Sequence, residues 1–478
     1  MNLLRKFLLG FLLPCGSVPL LLLSLGCTSG QEGANNPHLT VAFVGANIVP
    51  LTGNETVLRD HTVIVRDGRI AAIGPRRRVA VPADAIQIPA SGQYLMPGLA
   101  DMHVHLEHFD DPAYLQLFLI NGVTFVRSMD GRPFILDWKR RASSGTLLSP
   151  HIYTAGPVLD GDPPARSDNR ALRDGNEARR AVEEQASEGY DFVKIYANLS
   201  TETFRAVMAA ARARRLPVAG HVPHAVPFQE VLTAGMASIE HLGDYANAIQ
   251  ASDPQPLGRA DPAKRRLALQ VDSSRIAALA TRLAHSGVWV IPTMVQADRA
   301  VAPPNVLQDW MSDPAVAVID RGILQYYWLG SVTRAGQGLD AAGWSLVEQS
   351  RLNRIALVRA FLQAGVHMLV GTDTPQPFVI PGAAIHEELA NFVAAGFSPE
   401  RALIAATRDA ARFVGDERLW GTVERGKRAD LLLLDVNPLE DIGATRRIAG
   451  VMVEGRWFAA SRLQEMRISV ERLAAASN

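Results

Sequence analysis

Two imidazoles stand one residue apart in Leu99-Ala100-Asp101-Met102-His103-Val104-His105, an apolar run entered through Met96-Pro97-Gly98. In a strand, successive side chains alternate faces, so His103 and His105 aim the same way while Val104 enters the packing. Two polar rings on one face of a buried strand need partners there. They are either the teeth of a metal clamp or a hydrogen-bonded core pair, and residues farther along the chain decide between the two.

From residue 98 to 416, strand-like runs alternate with helical runs. The strand candidates are Leu99 to His105, Val123 to Ser128, Ile152 to Ala155, Phe192 to Tyr196, Pro217 to His221, Ser238 to His241, Val288 to Pro292 and Met368 to Asp373. Helical runs are expected over Arg170 to Glu188, Thr201 to Arg214, Ser273 to Ser286, Leu352 to Ala364 and Ile385 to Ala395, rich in Ala, Arg and Glu. Repeated strand and helix units predict an α/β fold, a (β/α)8 barrel of the triosephosphate-isomerase type. A chain of 478 residues, 48% of them apolar, can fill such a core.

Both chain ends read as β. Val41 to Ala46 and Thr62 to Gly74 are strand-like, with Asp67-Gly68 as a hairpin turn. Ala429 to Asp435 and Ile448 to Trp457 repeat the pattern near the end of the chain. Neither piece buries a sheet face alone, so a small β-sandwich is expected from 39–97 and 417–458, followed by a closing helix within 459–478. The segment Gln296 to Ser350 is longer than one crossover requires, and its Trp310, Tyr326, Tyr327, Trp328 and Trp344 are expected to pack rather than form a lid.

In such a barrel the active site sits at the C-terminal ends of the strands. His103 and His105 close the first strand candidate, Lys194 lies near the end of the fourth, His221 closes the fifth, His241 the sixth and Asp373 the eighth. Lys194 shares a face with Phe192 and Tyr196 and should point inside, where an ammonium is costly to keep charged. A neutral amine there can capture carbon dioxide, and the carbamate can bridge two divalent metals; the plainer alternative is a lysine paired with a carboxylate. By strand alternation Glu240, beside His241, is expected to point away from the metals. Tyr196 and His224 are candidate substrate contacts. His386 is weighed for the same role against a capping or loop hydrogen bond. His108, His151, His285 and His367 are expected to be structural or on the surface.

The run Pro97 to His105, with Lys194, His221, Ile239-Glu240-His241 and Gly371-Thr372-Asp373-Thr374, resembles the amidohydrolase superfamily in its two-metal, carboxylated-lysine branch. The likeness continues through Gly426-Lys427-Arg428-Ala429-Asp430 and Pro438 to Ile442. Phe192 to Tyr196, Ala219 to Pro223 and Ser238 to His241 are most similar to prolidase-like dipeptidases and imidazolonepropionase-related proteins. The resemblance implies one metal on His103, His105 and Asp373, a second on His221 and His241, and carboxylated Lys194 bridging them together with a hydroxide. It also implies Asp373 as general base and then acid. The donors are N and O without Cys, which suits zinc but also manganese, cobalt or nickel. The implied reaction is cleavage of an amide bond in dipeptides or N-acyl amino acids. Lactones, cyclic amides or phosphoesters would use the same site. A non-catalytic binding lipoprotein would show missing ligands, and none is missing.

Lys plus Arg equal Asp plus Glu, 48 against 48, so no basic surplus points to nucleic acid. At the N-terminus Arg5-Lys6 precede the apolar runs Phe7 to Leu13 and Val18 to Leu25, broken by Pro14, Gly16, Ser17 and Pro19. This reads as an export signal over 1–26 rather than a membrane span, with 27–38 as a tether. Leu23 to Cys27 resembles a bacterial lipoprotein cleavage box, apart from Leu25 where a small residue is usual. An envelope protein anchored through lipid on Cys27 is expected, exported toward the periplasm or beyond; its oligomeric state stays open. Metabolic labelling with a fatty acid should mark the wild type and not Cys27→Ser; equal labelling of the two would refute the anchor.

Overall fold

The computed structural model describes residues 39–53, 57–249 and 272–476. The expected signal, tether and Cys27 lie outside the described residues, as does the stretch 250–271. Among the described residues no helix is long and apolar enough to cross a membrane.

Both chain ends meet in one sheet, as their separate inability to bury a face requires. Its strands are β1 (Val41–Ile48), β2 (Leu58–Arg66), β3 (Arg69–Pro75), β4 (Ile86–Pro89) and β5 (Tyr94–Pro97) from the start of the chain. The chain's end supplies β15 (Leu431–Leu434), β16 (Ile448–Val453) and β17 (Arg456–Ala459), in the order β17-β16-β15-β5-β1-β2-β3 with β4 on β1. The β2–β3 hairpin turns at Asp67-Gly68, both with positive φ. The sheet curls until this hairpin meets the approach to β15, where the Ile70 amide donates to Lys427 O at 2.9 Å and the Ala429 amide to Gly68 O at 2.8 Å. The curled halves enclose Phe43, Val63, Val65, Leu95, Leu431, Leu433 and Met452. Leu432 and Leu434, on the opposite face by strand alternation, pack into the core of the barrel instead. One four-leucine strand thus joins the two cores.

The barrel is built from β6 (Leu99–Val104), β7 (Val123–Ser128) and β8 (His151–Thr154), then β11 (Val193–Ile195), β12 (Val218–Gly220), β13 (Ser238–Glu240) and β14 (Trp289–Ile291), all pairing parallel. Parallel bridges join β8 to β11 at Ala155 and Phe192, β14 to the eighth run at Val290 and Met368, and that run to β6 at Val104 and Thr374. The eighth run, 368–374, is bonded on both sides: the Leu369 amide donates to Val290 O, and the Met102 amide to Val370 O, each at 3.0 Å. The ring closes as expected, although this run is too irregular to form a ladder, with Asp373 at φ +64°.

Two short strands, β9 (Leu159–Gly161) and β10 (Arg170–Leu172), extend the sheet beyond β11. They correct the helix expected from Arg170, which starts at Gly175 because Arg170 to Leu172 pairs with β9 and the Asp174 carboxylate caps the amides of Asn176 and Glu177. In the long insertion Trp328 is fully buried and donates to Pro375 O at 3.0 Å, the packing role expected. Tyr327 does more: its hydroxyl donates to Gln376 Oε1 at 2.8 Å and its ring stacks on His108. The closing helix, Ala460–Ala476, buries Leu463, Met466, Val470 and Ala474, one face at helical spacing.

At the junction of sheet and barrel the buried Asp430 accepts the Glu454 amide at 2.9 Å, faces His151 Nε2 at 3.3 Å and pairs with Arg428. Burial alone would raise its pKa, but His151 and Arg428 outweigh it and hold the carboxyl well below the usual carboxylate range. A depressed folded-state pKa means stability present above the unfolded value of about 3.9 and lost as pH falls below it. Asp430→Asn should therefore cost roughly 3–5 kcal/mol at neutral pH, with the gap to wild type narrowing below about pH 4. Urea midpoints measured from pH 7 to 3 check this; a gap independent of pH would contradict it.

Candidate metal centre and active site

The polar strand ends converge. His103 lies within β6, His105 directly after it, Lys194 within β11, His221 after β12, His241 after β13 and Asp373 at the close of the eighth run. Three of the turns that follow the strands are left-handed without glycine: His241 at φ +62°, Thr293 at +44° and Asp373 at +64°. Such residues cost free energy unless their surroundings hold them, and here two of the three are candidate ligands.

Asp373 Oδ1 lies 3.2 Å from His103 Nε2 and 3.1 Å from His105 Nε2. These three side chains can converge on one metal ion. The His103 ring is 4.6 Å from that of His241, which is 5.1 Å from that of His221. Every one of the four rings engages Nδ1 with the protein: His103 with Glu240 Oε2 at 2.7 Å, His105 with Glu107 Oε1 at 2.5 Å, His221 with Asp244 Oδ2 at 3.3 Å and His241 with Thr293 Oγ1 at 2.7 Å.

Those partners decide the protons. Ionised carboxylates only accept, so as neutral rings His103 and His105 each carry the proton on Nδ1 and present a lone pair at Nε2. Both lone pairs then face Asp373 Oδ1, itself an acceptor, and His103 Nε2 and Asp373 Oδ1 are buried without a hydrogen bond. Three acceptors around one point call for a cation, so the donor set fits a divalent metal. With no ion between them, a proton on His105 Nε2 meets the same need for positive charge. Burial opposes charge on His105, yet Glu107 and Asp373 together raise its pKa to about 10. Burial would raise Asp373, but His241 and His103 hold it well below the carboxylate range.

One expectation fails. Glu240 does not point away from the histidines: it is fully buried, accepts from His103 and from Ser238 Oγ at 2.6 Å, and pairs with Arg127. Ser238 and Glu240 share the inner face of β13, and His241 reaches the same interior because its left-handed backbone breaks the alternation. Arg127, also fully buried on β7, is sandwiched between the rings of Phe192 and Phe413, each 5.1 Å from its guanidinium carbon. The Ser238 and Glu240 pair at i and i+2, just ahead of the histidine, was the sequence signal for this chain of contacts.

Lys194 is buried, and burial lowers its pKa to about 8 although Glu240 pulls the other way. Tyr196 stands edge-on to His221 at 4.3 Å between ring centroids. His224 is exposed, its amide donating to Ala197 O at 2.8 Å. His386 is buried inside the helix Ala384–Ala394 and bonds Thr445 Oγ1 at 2.9 Å, the hydrogen-bonding alternative. His108, expected to be structural, comes to the mouth, with its ring 6.0 Å from that of His105 and Nε2 3.6 Å from Glu107.

Comparison with known proteins follows the same lines. The model of the amidohydrolase family matches residues 94–458. Ochratoxinase from Aspergillus niger is 22% identical over 472 residues, spanning 84% of this chain and 82% of that protein. Among solved structures, a putative prolidase from Bifidobacterium longum aligns with a TM-score of 0.66 at 24% identity, covering 92% of this chain and 99% of its own. Bottromycin amidohydrolase aligns with a TM-score of 0.74 at 24% identity, over 91% and 90% of the two chains.

A carboxylate behind a metal-facing histidine fixes the ring and raises its basicity. Glu240→Gln should therefore weaken divalent-metal binding by roughly 10–100-fold, read by chelator competition. Unchanged affinity would show that Glu240 serves packing alone.

Proposed function

The chain belongs to the amidohydrolase family, and on that premise we propose that it is a metal-dependent hydrolase of amide bonds in dipeptides or N-acyl amino acids. The observation that carries this is the meeting of His103 Nε2, His105 Nε2 and Asp373 Oδ1 beside a second pair of imidazoles and a buried lysine. The likeness to a putative prolidase and to an amidohydrolase of bottromycin supports an amide as the bond.

In this reading His103, His105 and Asp373 would hold one divalent ion and His221 and His241 a second, with Lys194, once carboxylated, adding an anionic oxygen donor. Zinc suits the N and O donors. Bound there, the ions supply Lewis acidity, lowering the pKa of water and polarising a carbonyl oxygen. Lys194 becomes an anion by adding Nζ to carbon dioxide, the N–C bond forming as a proton leaves to water. A depressed amine pKa favours this, because only the neutral amine reacts. Asp373, ionised through the neutral range, accepts the proton of the attacking water and returns it to the leaving nitrogen. Glu107 and Glu240 keep the two histidines from turning, and Tyr196 flanks the scissile group from the side of His221.

The test is a panel of dipeptides, N-acyl amino acids, lactones and phosphotriesters with protein loaded with metal in bicarbonate. Turnover of the first two classes is expected. Asp373→Asn should lower kcat by roughly 10²–10⁴-fold, and Lys194→Ala should lower both activity and bound metal per chain. Activity confined to lactones or phosphotriesters would contradict the amide reading.

A further inference from the structure

One wall of the active-site mouth is the segment between β9 and β10. Its anchor is Asp160, fully buried, whose carboxylate accepts from the Ala165 amide at 2.7 Å, from Asn169 Nδ2 at 3.0 Å and from the Asn198 amide at 2.8 Å. Asn198 Nδ2 returns a bond to Pro163 O at 3.0 Å, and the Tyr196 amide donates to Leu159 O at 2.9 Å. A single buried carboxylate thus ties this segment to the backbone just beyond Lys194 and Tyr196. Arg166, next to the anchored Ala165, is presented from a fixed base rather than a free loop.

The mouth has a second arginine, and the two differ in what they have left to offer. Arg132 is engaged by Asp130 at 2.8 Å and lies 3.7 Å from Asp168. Arg166 donates from Nε to Asp168 Oδ1 at 3.4 Å, and among the described residues no hydrogen bond runs from its Nη atoms to a carboxylate. Asp168 is itself half exposed, so solvent screens this pair. Asp168 reaches Arg132, in the loop after β7, at 3.7 Å, and Ala165 is tied through Asp160 to Asn198, in the loop after β11, so Arg166 is held between the C-terminal ends of these two strands. An arginine with an open Nη edge is a fork for a carboxylate, and the metal-ligating residues beside it supply no other cationic side chain except Lys194, which lies buried beneath them.

We propose that Arg166 receives the free carboxylate of the leaving amino acid and so selects amides whose leaving group is an α-amino acid. This rests on the amide-hydrolase reading and adds to it a determinant of substrate class. Asp168 holds the guanidinium through Nε in the free protein, and the substrate carboxylate takes the Nη edge.

The experiment compares kcat/KM for dipeptides and N-acyl amino acids with their carboxamide-capped counterparts in wild type, Arg166→Gln and Arg166→Lys, with bound metal and melting temperature measured alongside. Wild type should prefer the free acids. Arg166→Gln should lose about 10- to 100-fold on the acids, mainly through KM, with little change on the carboxamides. Arg166→Lys should recover part of the loss, and bound metal should stay at the wild-type level in both. Equal efficiency of wild type on acids and carboxamides, or an equal loss on both series in Arg166→Gln, would overturn the role of Arg166 while leaving amide hydrolysis in place. No hydrolysis of either series by metal-loaded wild type would overturn the amide reading, and this inference with it.

Discussion

Three hydrogen-bond acceptors are held around one point inside this barrel, and the site depends on what satisfies them. Glu240 and Glu107 take the Nδ1 protons of His103 and His105, so both Nε2 lone pairs meet Asp373 Oδ1 at 3.1–3.2 Å. Between neutral rings and with no cation, that arrangement is repulsive and buried, the costliest environment for unsatisfied polar atoms. The fold nevertheless maintains it: Asp101 accepts from the Thr372 amide at 3.0 Å and from the Thr372 hydroxyl at 2.7 Å, pinning β6 to the run that carries Asp373. Backbone strain at His241, Thr293 and Asp373 is accepted in the same place.

The rest of the architecture keeps these groups from relaxing apart. The eight parallel runs set the heights of the candidate ligands, and the sheet from the chain ends joins the barrel through the alternating leucines of β15. Beneath the histidines a fully buried arginine, flanked by two aromatic rings, neutralises Glu240. A buried ion pair of this kind adds little to net stability. Its value is positional, since it keeps a carboxylate ionised where an imidazole needs an acceptor.

Much of this was legible in the sequence, because its signals were those of regular structure. The two-residue period of His103 and His105, the polar residues at strand ends and the Asp67-Gly68 turn each follow from geometry that strands obey. Glu240 was misread because alternation was carried one residue beyond the end of β13, into a residue whose φ is positive. Arg127 gave no sign, since an arginine within a strand reads as exposed unless its buried partner is known. The strands β9 and β10 are three residues each, too short for any period to show, so the anchoring role of Asp160 and the placement of Arg166 emerge only from the fold.

The central claim is that a cation belongs among these acceptors. Anomalous diffraction from crystals of zinc-loaded protein, with bicarbonate present, tests it most directly. The account predicts a peak within roughly 2.0–2.2 Å of His103 Nε2, His105 Nε2 and an Asp373 oxygen, and a second peak on His221 and His241 with density extending from Lys194 Nζ between the two. Crystals that bind zinc elsewhere, or that leave His103 Nε2 and Asp373 Oδ1 in direct contact with no ion between them, would contradict it.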